Sequence, residues 1–442
     1  MSCTPYQPAT AAWALACAVL ALPAAGYADT HGWRLSSGVD VGTTWLGADG
    51  FVDTSPWLAF AGGPIQWGVG APLRFRVLDG QPADSCHTPG LRCEDWDEPG
   101  DFGRLLRYLD WDGWSGDVKV HLGDITGVSL GHGELIYRYY NNLLLDSWQT
   151  GAVIDVQRPD WGLSALVGDV MRWDLVGLRA WGRPVPSGYW RRLRFGLQAA
   201  MDRAITASTG QQGPTTRSEG PWQVDAPLLA TDLSLVAWGD DQRALTLFVS
   251  LSGHLPDSLA VHSGMGWHRR GDLAVALQLE GRLLAPLASG GSLYVPGWFG
   301  PLYELDSRSL RSDVAGNAAL RTAATLGARG SLDVTRARKF RLVMVADWLA
   351  DRRLDTLVWL QTDAERSLTL HAMLANRWTA QAADQPLRWT GSVMARLRVQ
   401  GPWYASLSAG RKWRVRQPNE TDHSPLYTEA EFRLAVGANW QF

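Results

Sequence analysis

From Ala430 to Phe442 every second residue is apolar or aromatic: Ala430, Phe432, Leu434, Val436, Ala438, Trp440 and Phe442. The alternate positions, Glu429, Glu431, Arg433, Ala435, Gly437, Asn439 and Gln441, are polar or small. A period of two puts the sets on opposite faces of one β-strand, one greasy and one wet. The same alternation recurs upstream. Gly32 to Leu46 carries Trp33, Leu35, Val39, Val41 and Trp45 in one phase, with Ser37 and Thr43 as polar exceptions. In Gln66 to Leu78 the greasy phase is Trp67, Val69, Ala71, Leu73, Phe75 and Val77, opposed by Gln66, Arg74 and Arg76. Further greasy faces are predicted for Trp148-Thr150-Ala152-Ile154-Val156 and for Trp190 followed by Leu193, Phe195, Leu197, Ala199 and Met201. A hairpin is predicted from Leu228–Trp238 and Ala244–Gly253, then strands over Asp272–Leu284, Leu320–Val334 and Phe340–Trp348, with three shorter runs after residue 367. Connections near residues 239–242, 268–271, 336–339, 362–365 and 400–402 are short, and those at 202–226, 285–315, 376–386 and 415–426 are longer.

An open sheet ending in such a strand would leave a long apolar edge, which natural proteins avoid. A closed barrel removes the edge, because the last strand pairs with the first. The tail resembles the terminal strand of Gram-negative outer-membrane β-barrels, in which a final Phe follows alternating aromatics. That resemblance implies an all-β fold: one transmembrane antiparallel up-and-down barrel over residues 29–442, with short periplasmic turns and long extracellular loops. It also implies assembly through the barrel-assembly machinery, engaged by the C-terminal strand. About 21 candidate strands are visible, and such barrels have even numbers, so 18–20 is the expectation. The ambiguity lies between residues 79 and 140. There, LGHGEL followed by YRYYNN is similar to a run in uncharacterised porin-like outer-membrane proteins, to which no activity attaches.

The first 28 residues read as a signal peptide: Ala11 to Gly26 is apolar and Gly26-Tyr27-Ala28 suits cleavage after Ala28, although the leader lacks Lys and Arg. Cys17 after Leu15-Ala16 gives a lipoprotein alternative, weakened by the short apolar run before it. A formal net charge of −3 offers no nucleic acid an attractive surface. The 24 Trp against 11 Tyr and 10 Phe fit a ring that settles at lipid–water boundaries. Trp33 and Trp45 share a face at a vertical separation of about 30 Å for a tilted strand, the spacing of two aromatic girdles. Beyond the leader only Cys86 and Cys93 remain, a disulfide pair for an oxidising compartment or else two free thiols. Closing so small a loop contributes about 2–3 kcal/mol. Glu94, Asp95, Asp97, Glu98 and Asp101 gather beside them; Pro99 in the third ligand position breaks a calcium-loop pattern, leaving a solvated acidic loop as the expectation.

Catalytic signatures are lacking. His262-Ser263 and His268 lie close together, but Ser263 falls in the greasy phase with Val261, Met265 and Trp267, away from water. Asp53 and Asp101 read as loop carboxylates. The sequence therefore predicts no catalytic residue, metal site or cofactor. The opposite phase collects Arg74, Arg76, Lys119, Arg192, Arg194, Glu280, Arg321, Arg341, Asp347, Arg396, Arg398, Glu431 and Arg433. A mid-bilayer Arg or Lys facing lipid costs about 2–4 kcal/mol, which assigns these side chains to a lumen as pore-lining residues. They either pair across strands and fill space or set an anion preference. The expected function is a porin-like outer-membrane channel for passive diffusion of small polar or anionic solutes, with loops 202–226 and 285–315 folding inward as the constriction. Its partners are the solute and outer-membrane lipid, and the sequence leaves a homo-oligomer open. A structural or adhesive barrel whose long loops bind an external partner is the alternative. A soluble glycan-binding propeller would need a repeat of roughly 40–50 residues, which is not visible.

Overall fold

The structure is a computed structural model that describes residues 32–441 apart from 81–89, 97–98, 143–147, 174, 186, 203–227, 241, 255–257, 287–323, 337–338, 351–352, 365–367, 380–388 and 416–425. The strands run β1 (Arg34–Leu46), β2 (Asp49–Gly62), β3 (Ile65–Gly70), β4 (Leu73–Leu78), β5 (Leu106–Gly113), β6 (Val118–Gly123), β7 (Thr126–Val128), β8 (Tyr139–Tyr140), β9 (Gly151–Gln157), β10 (Trp161–Val167), β11 (Leu175–Gly182) and β12 (Leu193–Asp202). They continue as β13 (Leu228–Gly239), β14 (Arg243–His254), β15 (Ser258–Arg269), β16 (Leu273–Pro286), β17 (Thr325–Arg336), β18 (Phe340–Leu349), β19 (Arg353–Ala364), β20 (Leu368–Thr379), β21 (Trp389–Gln400), β22 (Trp403–Val415) and β23 (Leu426–Gln441).

All but β7 and β8 form one antiparallel sheet of nearest-neighbour hairpins. β3 pairs with Trp57–Gly62 of β2, and β4 with Gly50–Thr54 of the same strand. They are halves of one stave broken at Ala71-Pro72, where proline supplies no N–H and Ala71 donates to the Pro56 carbonyl at 3.1 Å. The wall is therefore a closed barrel of 20 staves. Closure is a continuous ladder between β1 and β23, from Ser36↔Gln441 to Leu46↔Glu431. Side chains reinforce the seam inside: Arg433 Nε donates to Asp53 Oδ2 at 2.7 Å, and the Tyr404 hydroxyl bonds to Asp40.

The two faces separate as the alternation predicts. Leu434 is 51 % and Val436 56 % exposed on the outside, while Asp40, Asp53 and Asp232 are buried inside. Trp33 and Trp45 lie on the outer face at either end of β1. So large an apolar belt would aggregate in water and belongs against hydrocarbon. Short connections such as 240–242, 270–272 and 401–402 sit at one end; the other end has the longer connections together with short ones at 47–48, 255–257 and 350–352.

Several expectations need correction. Trp148 and Thr150 precede β9, and Thr150 is buried. Trp190 and Arg192 belong to a 3-10 turn (Tyr189–Arg192) ahead of β12. Ala71 and Leu73 are enclosed where the stave breaks. Asp53 lies on β2, buried, accepting from Thr44 Oγ1 at 2.9 Å, and is no loop carboxylate. The strand expected at Leu320–Val334 starts at Thr325; its beginning, with Arg321, lies outside the described residues. β2, β5, β10, β11 and β19 were not predicted. In β10, β11 and β19 the reason is physical: Leu166, Leu175 and Leu357 point inward yet are fully buried, so both faces are apolar and the alternation vanishes.

Candidate functional site

What buries those inward leucines is the chain between β6 and β9. Instead of arching away from the barrel, residues 124–142 turn into the lumen as a compact coil with the two-stranded β7–β8 sheet. Its tight course needs glycine: Gly131 has φ +64°, and a Cβ there would lie 2.7 Å from Arg179 Nε. On the near wall Ile125, Leu130, Leu135, Ile136 and Tyr139 pack with Leu166, Leu175, Ala200, Leu228 and Ala230. On the far wall Tyr137 and Tyr140 meet Val343, Val345, Leu357 and Ala375. The wall leaves room by omitting side chains: a Cβ on Gly177 would fall 2.2 Å from Ile136 Cδ1, and one on Gly151 2.2 Å from Ile125 Cδ1. Gly177→Val should therefore lift the loop while leaving the barrel intact, read as faster hydrogen exchange in residues 124–142 with an unchanged heat-modifiable band.

Polar contacts fix the loop on both sides. Gln278 Nε2 donates to the His132 carbonyl at 2.7 Å, and Arg329 donates to the Gly133 carbonyl at 2.9 Å and to Glu280 at 2.5 Å. The same guanidinium covers the Tyr137 ring at 3.7 Å, and Arg138 reaches Asp333 at 3.5 Å. Asn141 ties the loop ends: its Oδ1 accepts from the Ile125 N–H at 2.8 Å, and its Nδ2 donates to the Gln149 and Gly168 carbonyls. His132 stacks on Phe248 at 4.2 Å; burial, with Arg179 and Arg194 nearby against the pull of Asp232, pushes its pKa down to about 4.

Glu134 accepts from Gln198 Nε2 at 2.6 Å, and its carboxyl is pushed up by burial and then by Asp232. A carboxyl raised in this way supports docking fully below the ordinary glutamate range, and the support is lost as pH rises through the raised value. Wild type and Glu134→Gln should thus exchange loop amides at similar rates in acid and diverge as pH rises, wild type becoming the faster.

Most predicted lumenal charges are paired. Arg76 lies 3.5 Å from Asp49, Arg341 2.8 Å from Asp333 and Glu431 3.0 Å from Lys412; Glu280 meets Arg329, Asp347 meets Arg282, and Arg433 meets Asp53. Others make no carboxylate contact among the described residues: Arg396 stacks on Tyr404 at 4.3 Å, Arg398 Nε donates to the Gly401 carbonyl at 3.0 Å, and Arg194 covers Trp181 at 5.0 Å. Lys119 lies exposed on β6, and Arg192 sits in its rim turn 5.7 Å over Tyr189. Arg107, absent from the expected set, is turned inward by a register shift in β5 and donates to Ser55 Oγ at 3.1 Å.

The acidic stretch is no solvated loop. Asp95 is fully buried among Arg74, Arg92 and Arg104, with 2.8 Å to Arg92 and 2.9 Å to Arg104. Burial alone would raise its carboxyl, yet the three guanidiniums hold it far below the usual range. Asp95→Ala would take the carboxylate from buried Arg74 and leave Arg92 and Arg104 only their longer contacts, 3.7 Å to Glu94 and 3.4 Å to Asp101. It should destabilise this segment by about 3–5 kcal/mol, visible as new proteolytic nicking between residues 91 and 105. Cys86 lies outside the described residues, so the pairing with Cys93 does too. Among the described residues no cluster of His, Cys, Asp or Glu is arranged to hold a metal ion.

His262 occupies the inward face while Ser263 points outward. His262 instead bonds Ser252 Oγ at 2.7 Å and Glu280 Oε1 at 2.7 Å. That connectivity matches a serine triad, but Ser252 and His262 are buried against the wall, and a substrate carbonyl has no approach.

No family model matches the chain, and no curated protein matches its sequence. Among solved structures it is similar to the outer membrane protein OpdK of Pseudomonas aeruginosa, with 9% identity over 93% of this chain and 99% of that one and a TM-score of 0.34. The BenF-like porin of Pseudomonas fluorescens gives 10%, 94%, 100% and 0.34, and OccAB3 of Acinetobacter baumannii 8%, 93%, 99% and 0.33. Likeness at this level carries no argument about residues. The class rests on the chain's own geometry: a closed antiparallel barrel, greasy outside, charged inside, with a loop wedged across its lumen.

Proposed function

We propose that the protein is a porin-like channel in the outer membrane of a Gram-negative bacterium, passing small polar or anionic solutes by passive diffusion. The observation that carries this reading is the inward loop. A merely structural barrel has no need of a segment fitted to wall glycines and anchored to both sides of a charged lumen, whereas a channel needs a constriction. The loop covers the wall from β9 to β20. It leaves the arc from β21 through β1 to β6, where Arg107, Arg396 and Arg398 make no carboxylate salt bridge among the described residues. These few cations, rather than the whole arginine set, support an anion preference. We assign a constriction to residues 124–142; the expectation for loops 202–226 and 285–315 falls almost wholly outside the described residues. The leader at 1–28 and insertion through the C-terminal strand belong to the same reading. No channel step calls for an enzyme's machinery. Reversal potentials in planar bilayers under a salt gradient test it: anion selectivity supports the proposal, and cation selectivity or absence of conductance overturns it, the latter favouring the adhesive alternative.

A further inference from the structure

The outer face holds one feature that a lipid-facing surface does not explain. Arg243 on β14 continues the outward phase of Leu245, Leu247, Val249 and Leu251, and Arg269 on β15 that of Val261, Met265 and Trp267. The register places Arg243 and Arg269 directly opposite each other. Arg336 ends the outward phase of β17 opposite Leu273, two strands across and two residues along from Arg269, about 12 Å away. All three are exposed at the short-turn rim, and among the described residues none forms an ion pair.

The neighbouring carboxylates form no ion pair with these three among the described residues. Asp240 feels the charge of Arg243 but forms no ion pair with it within 4 Å, and its Oδ1 accepts the backbone N–H groups of Gln242 and Arg243, each at 2.8 Å. Asp272 continues the inward phase of β16, and Asp333 is taken by Arg341 and Arg138 inside the barrel. Like charges directly opposite on neighbouring strands repel, so the pair calls for an anion between them.

Depth identifies the anion's source. One cross-strand step above lies the row Trp238, Leu245, Trp267. Trp238 reaches the outer face only because a register shift after Val236 re-aims it, and it is 54 % exposed. Indole rings mark the lipid–water boundary, and the arginines lie about 5 Å beyond it along a tilted strand, at headgroup level.

We propose that Arg243, Arg269 and Arg336 bind the phosphate of an acidic phospholipid in the leaflet at the short-turn end. The inference rests on the outer-membrane reading above. A zwitterionic headgroup brings its own cation to a site already crowded with three, so the site prefers phosphatidylglycerol-type lipid.

Native mass spectrometry of the refolded full barrel, titrated with phosphatidylglycerol or phosphatidylcholine, tests this. Wild type should retain phosphatidylglycerol more tightly, and the triple variant Arg243→Gln, Arg269→Gln, Arg336→Gln should bind it at least about fivefold more weakly while still showing heat-modifiable mobility. A control with Arg158, Arg183 and Arg191→Gln, rim arginines already facing Asp117 or Asp160, should keep the preference. Equal binding of both lipids, retention by the triple variant, equal loss in the control, or displacement by millimolar inorganic phosphate would each overturn the proposal. Failure to form a barrel in any detergent would sink the outer-membrane reading and this site together; a folded barrel without lipid preference would sink the site alone.

Discussion

Replacing Thr126–Asn141 with four glycines should raise single-channel conductance about two- to fivefold and weaken solute discrimination, because a pore's throughput follows its narrowest cross-section. The excision is sterically simple. Gly123 and Gly151 already face each other across the β6–β9 ladder, so the shortened connection has little to span. It also leaves the wall sound, since β6, β9 and their neighbours pair without the loop. What it exposes is the inner lining: Leu166, Leu175, Leu357, the cation Arg329 and the carboxylate Asp333, which loses Arg138, would meet lumenal water. Unchanged conductance in a folded variant would show that the loop does not limit the path.

Arg396→Glu with Arg398→Glu should abolish the anion preference and carry the reversal potential to zero or past it. Both residues continue the inward phase of β21, and neither is a carboxylate's partner, so the change strands no buried anion. It replaces two cations by two anions beside Arg107 and Arg433, a change of four charges where the free cations are few. Neutralising a paired residue such as Arg341 should do much less, because Asp333 keeps Arg138 as a second partner. If the double variant stays anion-selective, the preference originates in a part of the lumen away from β21.

The sequence made the barrel legible through repeated period-two faces, and the tail strand through its aromatics. The short connections near 239–242, 268–271, 336–339, 362–365 and 400–402 also foretold which hairpins share an end, although 47–48, 255–257 and 350–352 are just as short at the other end. Legibility failed where packing removes the contrast between faces. β10 and β19 carry inward leucines because a loop lies on them, and a strand greasy on both sides has no readable phase. The same event concealed the inward loop. The polar, lengthy 202–226 and 285–315 carried the expectation of inward folding, and they fall almost wholly outside the described residues; residues 124–142 carried none, yet hold Ile125, Leu130, Leu135, Ile136 and Tyr139. Apolar side chains outside any alternation, punctuated by Gly127, Gly131 and Gly133, were the available sign that this connection must be buried. Charge was misread for a related reason: Asp95 looks solvated in sequence because its three arginines arrive from different segments.

The most direct test of the central claim is the gel mobility of membrane-extracted protein with and without boiling. A closed, continuously hydrogen-bonded barrel keeps its compact shape in detergent, so the unheated sample should migrate ahead of the boiled one. Identical mobility of the two samples, from protein found in the soluble periplasmic fraction, would contradict a sheet that closes on itself within lipid.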